Sequence, residues 1–286
     1  EAFISDGYVN RRVIVFDADT GAFKRMWGAF GNPARDDAPR KAKVAENDRI
    51  PAKEETGPGP DDFVMPVHAA RVSNDDLVYV SDRGGKRVQV FTLDGKYQTQ
   101  VFIDRYCEVP HCGNGQTVAS TAFSHDPAQR FLYVASRSPQ RVWVLDRKTL
   151  EFVDVIGGGG LLGGGHQIAT DAKGQVYVAD RGNRRVQVFD GEGKFKSEFG
   201  NIGTPLTMCM TRGATKHLYV SHAGDDVGMD DAAIYKTTLD GKTVFGLPKP
   251  EHSAYRDGKY SPTSVAVNEE RFSGNGDVWV ADGYGM

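Results

Sequence analysis

Six stretches of the chain repeat one pattern, in which apolar and aromatic positions alternate and the run ends on a small or polar residue. They are Ala2–Asp6, Val78–Asp82, Leu132–Ser136, Val176–Asp180, Leu218–His222 and Val278–Asp282. A period of two with Val and Tyr predominating predicts β-strands. In five copies a turn-like segment and a second alternating stretch follow: Arg12–Phe16, Arg87–Phe91, Arg141–Leu145, Arg185–Phe189 and Ala233–Thr237. Most copies are preceded by a further strand (Ala69–Val72, Ser120–Ser124, Gln167–Thr170, Ser264–Val267). Several are followed by a fourth (Phe23–Trp27, Tyr97–Phe102, Phe152–Ile156, Phe195–Phe199). Asp94-Gly95, Asp190-Gly191 and Asp240-Gly241 mark hairpin turns.

Four short antiparallel strands recurring at roughly 40–45 residues describe a propeller blade. One blade cannot bury both faces, so blades pack face to face. The predicted fold is therefore all-β, a single six-bladed β-propeller domain over residues 1–286 with incomplete terminal blades. The first copy lacks its innermost strand and the sixth stops after its second, which implies residues beyond one or both ends. Residues 31–62 are charged, Pro-rich and without alternation. They predict a long inserted loop between the first two blades, mobile or partner-binding.

Charge and cysteine content narrow the function classes. The balance of 35 basic against 38 acidic residues, net −3, argues against a dedicated nucleic-acid or anionic-membrane surface. No apolar run approaches the roughly 20 residues of a membrane span, and mean hydropathy is −0.46. The opening Glu1 suggests a removed targeting peptide or an internal portion of a longer chain. Cys107 and Cys112 stand in Cys-Glu-Val-Pro-His-Cys between two strand patterns. Their spacing suits a disulfide worth about 2 kcal/mol in the chain-entropy model, and with it a periplasmic or secreted location. With one His between them they make a poor zinc site, and Cys209 reads as a buried apolar residue. Gly157–Gly165 resembles a phosphate-binding loop in composition alone, since no helix and no Lys-Ser/Thr pair follow.

In an antiparallel blade, the loop entering the inner strand and the loop leaving the second strand lie on one face. His68 and His166 occupy loops of the first kind; Tyr8, Arg83, Arg181 and Tyr284 occupy the second. All are thus expected at one mouth of the axial channel, the default place for a ligand. Two neutral imidazoles can share a metal such as zinc, or simply be solvated loop histidines. Tyr8 can act as a general base, although Tyr284 in the same slot suggests packing. Arg83 can hold a carboxylate, although Arg181 at the equivalent position suggests a repeat-structural ion pair.

The phrases Asp82-Arg-Gly-Gly-Lys-Arg-Val-Gln-Val-Phe91 and Asp180-Arg-Gly-Asn-Arg-Arg-Val-Gln-Val-Phe189 resemble the NHL repeat. Within that group the order of features is similar to the peptidyl-α-hydroxyglycine α-amidating lyases. These six-bladed propeller enzymes use a zinc held by three histidines to release a peptide amide and glyoxylate. The resemblance implies His68 and His166 as zinc ligands, with Tyr8 and Arg83 in the active site. Thr263 stands where the third histidine belongs, and Gln167 replaces the aspartate of a structural calcium site. Two readings follow. One is a binding or scaffold propeller with a protein or peptide partner; the other is a zinc-dependent lyase.

Overall fold

The computed structural model describes residues 1–8, 10–34, 57–105, 117–137, 139–157, 161–212, 216–222, 224, 232–253, 260–269 and 273–283. They fall into two compact units, Glu1–Gly158 and Gly159–Met286. The first unit holds three antiparallel sheets. These are β1 (Ala2–Asp6), β2 (Arg12–Phe16) and β3 (Phe23–Trp27); β4 (Val67–Val72), β5 (Leu77–Asp82), β6 (Arg87–Thr92) and β7 (Tyr97–Phe102); and β8 (Ser120–Phe123), β9 (Phe131–Ser136), β10 (Arg141–Asp146) and β11 (Phe152–Ile156).

The second unit continues the series. It holds β12 (Gly165–Thr170), β13 (Val176–Asp180), β14 (Arg185–Phe189) and β15 (Phe195–Phe199); then β16 (Pro205–Met210), β17 (His217–His222), β18 (Ala233–Thr238) and β19 (Thr243–Pro248); and finally β20 (Pro262–Val267) paired with β21 (Val278–Asp282). In each sheet the strands lie side by side in chain order, as propeller blades require.

The six repeated stretches are all strands, but six blades is a correction to make. Among the described residues five sheets have three or four strands and count as blades. Among the described residues the sixth copy is a two-stranded hairpin.

The apolar runs read as they do because the second strands of the four-stranded sheets are buried on both faces. Along β5, Val78 and Val80 pack with Val13, Val15, Trp27 and Phe91 toward the preceding sheet. The intervening Tyr79 packs with Val118, Leu132, Val134 and Leu145 of the following one. Successive side chains of a strand point to opposite faces, so one Val-Tyr-Val serves two interfaces. In the second unit Tyr177 faces Met208, Leu218 and Val220, and Tyr219 faces Val265. Trp279 takes the same slot in β21 and is 64 % exposed.

A polar clasp recurs where each second strand ends. Asp82 Oδ1 accepts from the Val64 N–H (2.9 Å), Asp180 Oδ1 from Gly163 (2.6 Å) and Asp282 Oδ1 from Ser261 (2.8 Å). His222 replaces the carboxylate with Nδ1, which accepts from Thr204 at 2.7 Å. The third blade has Ser136 in this slot and reverses the device. There Asp104 accepts from Ser136 Oγ (3.4 Å) and Trp143 Nε1 (2.7 Å).

The repeated Arg-x-Gln of the third strands belongs to the same clasp. Arg87 Nε donates to Asp82 at 2.8 Å, and Arg185 Nε to Asp180 at 2.9 Å. Gln187 Nε2 donates to both Asp180 and Leu161 O. In the second blade these groups fasten the returning end of the 31–62 insertion. Arg87 donates to the carbonyls of Pro58 (3.0 Å), Pro60 (2.8 Å) and Asp62 (3.0 Å), and Gln100 to Pro58 (2.8 Å). Residues 58–62 of the expected insertion are thus tied to the second blade. Residues 35–56 lie outside the described residues, as do Cys107, Cys112 and Tyr284. Cys209 is half-buried rather than buried, packed on the Tyr219–Ile234–Val265 cluster.

Candidate functional site

Every inner strand with a candidate ligand carries an irregularity at that residue. In β4 the register passes from Val67↔Asp82 to Ala69↔Ser81, so His68 is the extra residue. In β12 it passes from Gly165↔Asp180 to Ile168↔Val178, setting His166 and Gln167 against Ala179 alone. Thr263 is the extra residue of β20. A bulge bends the strand and re-aims the side chain it carries, and such bulges concentrate near functional sites.

In the first unit the loops close tightly over this bulge. A Cβ on Gly7 would lie 2.0 Å from Val67 O, and one on Gly84 2.4 Å from Met65 O. Glycine alone permits these backbone approaches. They bring Tyr8 against His68, with ring centroids 6.0 Å apart and planes tilted by 54°. The Arg83 N–H donates to Pro66 O at 3.2 Å, tying the exit loop to the same strand. Tyr8 is 56 % exposed, while Arg83 is buried. Three of the four predicted catalytic or metal positions therefore meet here.

His68 Nδ1 bonds the carbonyl of Ala119, at the entry to the next inner strand. Burial first, and then the positive charge of Arg83, hold its pKa down at about 4; the Ala119 carbonyl pulls upward, and Arg137 pushes further down. His68 is thus a neutral imidazole whose proton sits on Nδ1 and whose lone pair sits on Nε2. Arg137 was not among the sequence candidates. The signal was present, since it follows β9 at the offset at which Arg83 follows β5, but Ser136-Arg137 lacks the Asp-Arg signature.

The second unit repeats this plan. His166 Nδ1 lies 2.8 Å from Leu206 O of the following inner strand, and the Arg181 N–H donates to Gly164 O at 3.2 Å. Gln167 Oε1 accepts from the Met208 N–H, a cross-strand structural bond. That engagement does not suit a calcium ligand. Thr263, in the third-histidine position, donates its hydroxyl to Ala281 O at 3.1 Å. Among the described residues no group of three or more His, Cys, Asp or Glu is gathered to hold a metal. No helix among them is long and apolar enough to cross a membrane.

Strand order, interblade cores and clasps together define an all-β chain of the β-propeller class. Residues 166–189 match the NHL repeat model. The chain is distantly related to rat peptidylglycine alpha-amidating monooxygenase, 27 % identical over 193 residues. That match covers 65 % of this chain and only 16 % of the rat protein's length. Solved structures of similar fold include a protein from Bacteroides caccae (TM-score 0.60, 11 % identity, 98 % of this chain and 82 % of that one). Virginiamycin B lyase of Staphylococcus aureus is another (0.55, 14 %, 75 % and 62 %), as is Kuenenia stuttgartiensis hydrazine synthase (0.53, 21 %, 73 % and 56 %). At these identities the likeness is one of fold, and a propeller hosts many functions.

Proposed function

We propose that this chain is an extracytoplasmic NHL-repeat propeller that binds a protein or peptide partner through the loops bearing Tyr8, His68 and Arg83. One observation carries the reading. An exposed tyrosine stands against a neutral histidine in a loop cluster that close-packed glycines hold in place. Rigid aromatic groups on fixed loops give contact area at small entropic cost. The extracytoplasmic location rests on the Cys107/Cys112 spacing.

A specific observation also favours a second reading, a zinc-dependent lyase acting on peptidyl-α-hydroxyglycine. His68 Nδ1 meets a carbonyl at the entry to the following inner strand and His166 Nδ1 one within it. Metal-ligating histidines are oriented in this way by a second partner. Thr263 breaks the set of three, which places binding first.

Elemental mass spectrometry of the chelator-washed protein, beside a His68→Ala/His166→Ala variant, separates the two. No bound metal and no glyoxylate from an α-hydroxyglycine peptide supports the binding reading. Near-stoichiometric zinc that the variant loses, with glyoxylate release, overturns it in favour of the lyase.

A further inference from the structure

Buried hydroxyls in folded proteins are bonded as a rule. Among the described residues of the first unit, Ser81 Oγ, Thr117 Oγ1 and Thr121 Oγ1 are sealed from solvent and find no hydrogen-bond partner in the protein. Two of them meet at one interface. Ser81 lies two residues beyond Tyr79 on β5, so both side chains point toward the third blade. On β8, Thr121 pairs with Val134 and Phe123 with Leu132, and opposite residues of a ladder share a face. Val134 and Leu132 pack in the cluster that holds Tyr79, and the Tyr79 and Phe123 rings stand 5.0 Å apart. Two residues along each strand from that ring pair, Ser81 and Thr121 face one another.

The second unit fills the same slots with apolar groups. There Ala179 stands for Ser81, and Met208, paired with Val220, stands for Thr121; both belong to one cluster, 0 % and 6 % exposed. Thr121 fills less space than Met208 by on the order of one water's share of the liquid, about 30 Å³. Ser221 repeats the Ser81 slot in the fifth blade, but Thr207 of its own blade bonds it directly, Oγ1 to Oγ at 3.0 Å. Only the pair in the first unit combines two facing hydroxyls with no bond between them. We infer that Ser81 and Thr121 hold an internal water between the second and third blades, a ligand site apart from the loop that bears Tyr8. Each hydroxyl donates once and accepts twice, so a water between them can bond both. A divalent cation would gather about six to eight oxygens, carboxylates among them. Two neutral hydroxyls suit water instead.

The sign of two near-isosteric substitutions tests this. In a dry interface, Ser81→Ala and Thr121→Val each remove an unpaired buried hydroxyl, and the urea midpoint rises. With a bridging water, each takes a partner from that water, and the midpoint falls by about 0.5 M. Ser81→Ala/Thr121→Val copies the apolar pairing of the second unit and releases the water. Its midpoint falls by less than the two single shifts together. Tryptophan fluorescence follows unfolding, and far-UV circular dichroism checks that each variant is folded.

A direct bond between the two hydroxyls would give the same signs, so a high-resolution crystal structure of the 1–286 chain completes the test. The expected result is a water within about 3 Å of both Ser81 Oγ and Thr121 Oγ1, lost in the double variant. A midpoint that rises or holds in either single variant overturns the inference. So does a crystal structure with the hydroxyls bonded to each other, with no density between them, or with an ion there, read from its anomalous scattering.

Discussion

Replacing Arg87 by Met tests whether burial sets the strength of the repeated Asp–Arg clasp. Arg87 Nε and Asp82 Oδ2 lie 2.8 Å apart with both side chains 0 % exposed. Burial pushes the Asp82 carboxyl up, against the pull of Arg87 and of the Val64 and Gly85 N–H groups. Removing the guanidinium leaves a buried carboxylate with those two donors alone, a loss of about 3–5 kcal/mol. The carbonyls of Pro58, Pro60 and Asp62 lose their donor as well, which sets the expectation at the upper end.

Arg12 and Asp6 make the same pair in the first blade at 2.9 Å, but 16 % and 28 % exposed. There water replaces the lost partner, and Arg12→Met costs about 1 kcal/mol. Urea unfolding in a Trp279→Phe background reads the first unit through Trp27 and Trp143. At a slope of about 2 kcal/mol/M the midpoint falls by about 2 M for Arg87→Met and about 0.5 M for Arg12→Met. Asp82→Asn/Arg87→Met recovers part of the loss, because the orphaned charge goes too. Equal shifts for the two arginines, or a loss below about 1 kcal/mol at Arg87, would refute the argument from burial.

Three further outcomes follow from the same geometry. Gly7→Ala drives a methyl into the Val67 backbone, and its expected cost of about 2 kcal/mol or more, with loss of the Tyr8–His68 ring contact, is readable by calorimetry and aromatic NMR. His222→Ala strands the Thr204 N–H and costs about 1–3 kcal/mol in thermal unfolding, whereas His222→Asp, restoring an oxygen acceptor, costs less. His68 has a folded pKa of about 4, below its ordinary 6.5, so the unfolded chain takes its proton first. That group's contribution, up to about 3 kcal/mol, is full above pH 6.5 and is lost as pH falls toward 4. The urea midpoint of metal-free protein should therefore drop less between pH 7 and 4.5 in His68→Gln than in the parent.

The second strands of the four-stranded sheets were legible in the sequence because both of their faces are buried, so Val-Tyr-Val or Leu-Tyr-Val recurs in four of the six copies. Outer strands write a weaker message. β19 (Thr243–Pro248) is exposed along its whole length and contains Gly246 and Pro248, so no alternation announced it. The candidate site was half legible. Tyr8, His68 and Arg83 follow from loop position, and the structure brings them together. The bulges at His68, His166 and Thr263 depend on register, which a sequence does not display. Arg137 went unseen because its blade moves the acceptor from the strand end to Asp104, erasing the local motif while keeping the arginine's position. The blade count exceeded the observed one because the hallmark Val-Trp-Val-Ala-Asp of β21 marks a second strand, and a blade needs more than two.

The clasp shows what a repeat must keep in order to remain a repeat. Its slot holds a carboxylate in Asp82, Asp180 and Asp282 and an imidazole nitrogen in His222, and each accepts one N–H from the segment entering its own blade. In these four copies what is retained is a lone pair at a fixed place, not a charge and not a residue type, while in the third blade Ser136 donates and Asp104 supplies the acceptor. Copies can therefore differ by letter, as His222 does from Asp82, while the hydrogen bond they make stays the same. In such a chain ancestry is better counted by acceptor atoms than by side-chain names.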